Sequence, residues 1–293
     1  FDTIGAVNKE GNRIMQIKMV GLDLDGTLLN SKKELTPFTK EVIAKAIEKG
    51  VHVLVATGRP FTGVPLELRE FPGMRYALTA NGARILDTAT GEILIEHLLS
   101  KESAKKALEI TEKYDTLQEI YFDGQGYAKD EKLAHVERYH KDCNMWEYVR
   151  ASRIAVLDIW ELFNSREENL DKVQVLFADM EERKAAWEEL SKCKDLNLVS
   201  SLKYNIEINA AGVNKGNGLI ALGKMLGIER EEIMAIGDGD NDIEMITEAG
   251  VGVAMGNAEE AVKCNADYVT GTNDEDGAAR AIVKYVLEGG EAC

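Results

Sequence analysis

The stretch VGLDLDGTLL, residues 20–29, sets two carboxylates, Asp23 and Asp25, one residue apart at the end of an apolar run. Burying a carboxylate is costly unless something pairs with it. A second acidic group, GDGDND at 237–242, holds Asp238, Asp240 and Asp242 and also follows an apolar run. Carboxylates drawn together repel one another unless a cation lies between them. Oxygen ligands with no histidine or thiol nearby point to Mg²⁺. Thr57-Gly58-Arg59 ends a β-branched run and offers a hydroxyl and backbone N–H groups, a phosphate-cradle arrangement. Lys215, in VNKGNG at the start of a helical pattern, offers a compact positive charge. Together these groups suit phosphoryl transfer, with the aspartates beside a magnesium ion and a phosphate, and one of them able to attack.

Such residues must be brought together by the fold. Ile17 to Leu22 reads as a strand. Thr36-Pro37 opens a helix, with Thr36 as N-cap and Pro37 in the first turn, and Gly50 closes it. Val51 to Ala56 and Tyr76 to Thr79 read as further strands, the latter ending at Ala80-Asn81-Gly82. The same order returns late in the chain. Lys215 to Leu226 is helical, Ile233 to Ile236 a strand, Asp240 to Ala249 a helix, Val251 to Ala254 a strand and Asp276 to Leu287 a final helix. This βαβ order predicts an α/β fold, a doubly wound parallel sheet with helices on both faces. Four polar clusters then fall at the carboxyl ends of strands, the edge where ligands bind in open α/β sheets.

Between these halves the texture is α+β. ARILDTATGEILIEHLL reads as a hairpin turning at Thr90-Gly91. Ser100 to Lys113 is an amphipathic helix, and Leu117 to Phe122 pairs with Gly126 to Ala128 across Gly124. Val173 to Phe177, a helix from Glu181 to Lys192 and NLVSSLKYNIEIN complete the pattern. The expected domains are 17–83 and 212–293 for the core, and 84–211 for an inserted second domain.

DLDGT at 23–27, ATGR at 56–59, NKG at 214–216 and GDGDND at 237–242 resemble the four signature motifs of the haloacid dehalogenase superfamily. An insertion between the second and third motifs resembles the type IIB, Cof-type branch, whose C2B cap sits on a Rossmann-like core. RPFTGVPLEL and IEINAAGVNKG resemble YidA-like sugar-phosphate phosphatases. The resemblance implies Asp23 as nucleophile, forming an aspartyl-phosphate, and Asp25 as general acid and base. It implies Mg²⁺ held by Asp23, the Asp25 carbonyl and Asp238, with Asp242 orienting water on the metal. Leu24, Thr57, Gly58, Arg59, Lys215 and Asn241 would bind phosphate or substrate, and Asn81 and Gly82 would contact the substrate near the cap.

Blander readings stand beside these. Asp240 reads as an acid in the first turn of a helix, where the dipole favours it. Arg59 either structures the loop after Thr57 or faces the cap. His52 packs on a core strand. Trp146, Trp160 and Trp187 read as cap core or surface rather than substrate platforms.

The chain has 293 residues, 45% of them hydrophobic, enough for a sizeable core and about two domains. A net charge of -16 argues against nucleic acid as a partner. Cys143, Cys193, Cys264 and Cys293 lack disulfide or metal spacing, which fits reduced thiols and a cytoplasmic location. No apolar run approaches the ~20 residues of a membrane span. The polar start, FDTIGAVNKEGNRIMQ, has no signal-peptide core and receives no fold role before about Met15.

The expected function is a Mg²⁺-dependent phosphatase of small phosphorylated metabolites, sugar phosphates foremost. A phosphomutase is the alternative, as is a phosphatase of pyridoxal phosphate or a nucleotide. Leu28 to Val55 leaves no room for the small helical cap of mutase relatives. Phosphate-accepting receiver domains lack both DxDGT and a cap.

Overall fold

The computed structural model describes residues 16–289, so the reading of the segment before Met15 lies outside the described residues. Five strands precede the insertion: β1 (Met19–Leu22), β2 (His52–Ala56), β3 (Tyr76–Thr79), β4 (Arg84–Asp87) and β5 (Ile93–Glu96). The insertion supplies β6 (Thr116–Phe122), β7 (Gln125–Lys129), β8 (Arg153–Val156), β9 (Lys172–Phe177), β10 (Leu196–Val199) and β11 (Asn205–Ala210). The chain returns with β12 (Ile233–Gly237), β13 (Val251–Ala254) and β14 (Tyr268–Val269).

The core sheet has the order β14-β13-β12-β1-β2-β3-β4-β5. Its first six strands run parallel, and every residue of β1, β3, β12 and β13 is buried. Covering on both faces explains why these strands read as unbroken apolar runs rather than alternating ones. The helix Pro37–Glu48 begins where expected, because the Thr36 side chain accepts from the Thr39 N–H and Pro37 occupies its first turn. The chain leaves β1 toward β2 on one side and later fills β12 on the other. That reversal makes a crevice at the carboxyl ends of β1 and β12, the place where such sheets bind ligands.

The expected boundary at residue 84 needs correction. The hairpin is present, but β4 pairs antiparallel with β3 and β5 with β4, so both extend the core sheet. The cause is the tight turn Ala80–Gly82, which folds the chain straight back along β3. The second sheet therefore begins after Glu96.

That second sheet has the order β10-β11-β9-β6-β7-β8. One face is apolar: Ile120, Val173, Val175, Ile206 and Ile208 pack in one cluster with residues of helices Lys101–Thr111 and Met180–Leu190. Each such side chain, fully buried, stabilises by roughly 1.5–3 kcal/mol. The stretch from 130 to 165 forms four short α-helices, one 3₁₀ turn and β8. Among the described residues no helix is long and apolar enough to cross a membrane.

Candidate active site

Asp23 follows β1 directly, and its N–H donates to the Ile236 carbonyl of β12 at 2.9 Å. That bond ties the two acidic motifs to adjacent strand ends. Lys215 opens the helix Lys215–Leu226, capped by the Asn214 side chain on the Asn217 N–H. Its ammonium is fully buried and donates to Asp23 Oδ1 and Asp242 Oδ1, each at 2.6 Å. Asp242 Oδ2 accepts from the backbone N–H groups of Asp238 and Gly239, both at 2.9 Å. Asp242 thus braces the acidic loop and the lysine at once. Asp240 lies exposed in the same turn.

Carboxylate oxygens of Asp23, Asp238 and Asp242 lie within 4.8 Å of one another. Burial, then Asp242, pushes the Asp23 carboxyl well above its ordinary range. Burial and Asp242 also push Asp238 up to about 7, against a 2.7 Å hydrogen bond from the Thr27 hydroxyl. Burial alone would lower the Lys215 pKa, but Asp23 and Asp242 outweigh it and raise it. One ammonium faces three carboxylates, and among the described residues no hydrogen bond reaches Asp23 Oδ2 or Asp238 Oδ2. These hard oxygen donors fit a divalent cation such as Mg²⁺. Gly26 permits the close packing of this loop: its φ is +87°, and a Cβ there would lie 2.3 Å from Asp238 Oδ2.

Asp25 stands apart. The Arg59 guanidinium grips it through Nε–Oδ2 and Nη2–Oδ1, both 2.7 Å, and Lys33 Nζ adds a 2.9 Å bond to Oδ1. Burial would raise the Asp25 pKa, but Arg59 and then Lys33 outweigh it and hold the carboxyl below its ordinary value. Arg59 also donates from Nη1 to the Gly63 carbonyl at 2.8 Å. The two alternatives read for Arg59 occur together: it structures the loop, and it meets the cap, where the Tyr148 ring lies 4.4 Å from its guanidinium carbon.

Thr57, Gly58, Arg59, Asn241 and the four aspartates Asp23, Asp25, Asp238 and Asp242 line one cavity of about 880 Å³, its open mouth included. A Cβ on Gly58 would lie 3.0 Å from Asn81 Oδ1 and Glu207 Oε2, so the backbone passes close beneath the cap. Leu24 is fully buried. Asn81 and Gly82 do not line the cavity. Asn81 instead joins the domains, donating to Glu207 Oε2 at 2.9 Å and Asn209 Oδ1 at 3.2 Å. Gly82, at φ +99°, lies against the Asn214 carbonyl, 2.6 Å from where its Cβ would be.

The roof of the cavity comes from the insertion and includes Tyr121, His140, Tyr148, Arg153, Lys172 and Glu207. Of these six, Tyr121 alone lies in the stretch EKYDTLQEIYFDGQGY, which the sequence leaves open between lining the pocket and hairpin packing; the sequence assigns none of the other five to the site. Trp146, Trp160 and Trp187 do not line this cavity and pack against cap clusters. His52 stacks on Tyr76, with ring centroids 5.7 Å apart.

Residues 20–282 match the family model described as haloacid dehalogenase-like hydrolase. The chain belongs to this family. A Bacillus subtilis member, 5-amino-6-(5-phospho-D-ribitylamino)uracil phosphatase YcsE, is 33% identical over 93% of this chain and 97% of its own. A solved haloacid dehalogenase-like hydrolase from B. subtilis superposes with a TM-score of 0.82 at 31% identity, covering 91% of this chain and 99% of its own. The subclass IIB sugar phosphatase BT4131 superposes with a TM-score of 0.75 at 25% identity, covering 90% and 97%.

Proposed function

We propose that this hydrolase is a Mg²⁺-dependent phosphatase of small phosphorylated metabolites, sugar phosphates foremost, working through an aspartyl-phosphate on Asp23. One observation carries the reading: the Asp23 carboxylate lies 2.6 Å from a buried ammonium and beside Asp238 and Asp242, in a cavity roofed by a second domain. Asp23 attacks phosphorus, and the bond from phosphorus to the ester oxygen breaks. Asp25, in its protonated form, gives that departing oxygen its proton. The Asp25 carboxylate then takes a proton from water, whose oxygen attacks phosphorus and frees Asp23. Arg59 and Lys33 favour the Asp25 anion, which this second step needs. Lys215, Thr57 and Asn241 hold phosphoryl oxygens, and the roof excludes bulk water. Asp23, Asp238 and the Asp25 carbonyl would hold Mg²⁺, which supplies charge neutralisation for the phosphoryl group.

A second reading takes a phosphorylated ribitylaminouracil as substrate. The name of the YcsE relative favours it.

Phosphate release from a panel of both ester types, with Mg²⁺ and with EDTA, tests the proposal beside Asp23→Asn. Release that needs Mg²⁺, disappears in the variant and favours hexose phosphates supports the first reading. Preference for the ribityl ester supports the second, and release unaffected by the substitution removes both.

A further inference from the structure

Asn81 sits in the tight turn between β3 and β4, and its side chain is buried where the two domains meet. Its amide reaches both ways. Nδ2 donates to Glu207 Oε2 and Asn209 Oδ1, both on cap strand β11. Oδ1 accepts from Asn241 Nδ2, in the acidic loop of the core, at 3.3 Å. Glu207 and Asn241 both line the cavity, and Asn81 joins them from outside the lining.

The two ends fix the polarity of this chain of bonds. Glu207 is buried, and burial would raise its pKa, but its partner Lys172 outweighs burial and lowers it. An ionised carboxylate only accepts, so it draws the Asn81 NH2 group toward itself and leaves Asn81 Oδ1 for Asn241. Oδ1 in turn draws the Asn241 NH2 group. The Asn241 oxygen is turned into its own loop, where a Cβ on Gly239 would lie 2.8 Å from it. The Asn241 nitrogen gives one hydrogen to Asn81 and keeps a second to donate.

The same turn props the neighbouring loop. The Asn81 N–H donates to the Thr57 carbonyl and the Ala80 N–H to the Arg59 carbonyl, both at 3.0 Å. Ala80 and Asn81 hold φ values of +49° and +59°, a left-handed backbone that persists where the surroundings over-determine it.

Resting on the phosphatase reading, we propose that Asn81 is a positioning residue that relays the seat of the cap carboxylate Glu207 to Asn241, so that Asn241 presents an N–H rather than its oxygen to the transferring phosphoryl group. Without Asn81 the Asn241 amide can turn over, and its oxygen then faces phosphoryl oxygens that need a donor. Asn81 itself touches neither substrate nor metal.

A double-substitution cycle on the full chain with Mg²⁺ tests the relay. Asn81→Gly removes the amide but keeps the turn, because glycine adopts positive φ without strain. It is expected to lower kcat/KM for para-nitrophenyl phosphate about tenfold or more, and to raise the inhibition constant of orthovanadate, an oxyanion with no leaving group, by a similar factor. Asn241→Ala is expected to bring a loss of the same order alone. In the Asn241→Ala protein, Asn81→Gly is expected to cost about threefold or less, because the group it acts through is gone. A residue that merely joins the domains would lower the unfolding midpoint, leave vanadate inhibition unchanged and give losses that multiply. Asn81→Asp also tolerates the turn but offers Glu207 an oxygen, and it takes the same place in the cycle should Asn81→Gly not fold. Multiplying losses, unchanged vanadate inhibition in the folded Asn81 variant, or an Asn241→Ala protein as active as its parent overturns the proposal. The parent protein separates the two levels: no phosphate release from it removes the phosphatase reading and the relay together, whereas an active parent with multiplying losses removes only the relay.

Discussion

Arg59 holds Asp25 with two parallel 2.7 Å hydrogen bonds, while Tyr148 of the inserted domain covers the same guanidinium at 4.4 Å. Asp25, the proposed acid and base, is therefore aimed by a residue that also meets the cap. A forked guanidinium fixes a carboxylate plane in a way that a lysine cannot.

Arg59→Lys and Arg59→Ala should both release that aim. A hydrogen bond to a charged group is worth about 1.5–3 kcal/mol, so kcat should fall on the order of tenfold to a hundredfold. KM should move less, because the proposed phosphate contacts are Lys215, Thr57 and Asn241. Steady-state kinetics on the best substrate checks the split.

Asp238 gives a pH prediction. Its carboxyl is raised from 3.8 to about 7 in the folded protein without metal. The folded state then keeps a proton that the unfolded chain has released. Its stability contribution is present at low pH and is lost as pH rises from about 4 to about 7. Asp238→Asn should therefore gain thermal stability over the parent protein as pH rises through this window, with no metal added. Mg²⁺ needs the deprotonated carboxylate, so it should raise Tm more at about pH 8 than at about pH 5.5. Thermal denaturation across pH, with EDTA and with Mg²⁺, reads both trends.

The motif residues were legible because each sits where a short apolar run meets a loop, and both features are local. The Thr36 cap and the Lys215 helix start were legible for the same reason. The hairpin β4–β5 was legible as a hairpin, but its place in the core sheet was not, since an antiparallel hairpin carries no local mark of which sheet it joins. Most of the roof, Tyr121's segment aside, was not legible for another reason. KVQV in β9 and NIEIN in β11 do alternate polar with apolar, but that pattern ordinarily marks a solvent face. Only the tertiary arrangement shows the polar face covered by the core, with Lys172 and Glu207 each 2% exposed. Tyr148 lies in the short helix Trp146–Ser152 and Arg153 in the edge strand β8.

The Lys172–Glu207 pair carries a stability prediction. Removing one partner leaves the other charge buried and unpaired, at a cost of about 3–5 kcal/mol. Lys172→Ala should show this in denaturant unfolding. The double variant Lys172→Met/Glu207→Leu should lose much less than the sum of its single losses, because neither charge is then stranded.

Gly82 couples the turn after β3 to the lysine helix. Alanine there must adopt φ +99° and place a Cβ 2.6 Å from the Asn214 carbonyl. Gly82→Ala should destabilise the protein by about 1–3 kcal/mol. Because Asn214 caps the helix that begins with Lys215, kcat should fall as well. Unfolding midpoints and phosphate-release rates below those midpoints separate the two effects.

The central claim is that phosphorus becomes bonded to Asp23. Protein mixed with Mg²⁺ and a phosphate-labelled substrate, quenched in acid within one turnover and digested, tests it by mass spectrometry. Label is expected on the peptide containing Asp23, sensitive to hydroxylamine as an acyl phosphate is, and absent from Asp23→Asn. Full phosphate release with no label on that peptide, or release undiminished in Asp23→Asn, would contradict it.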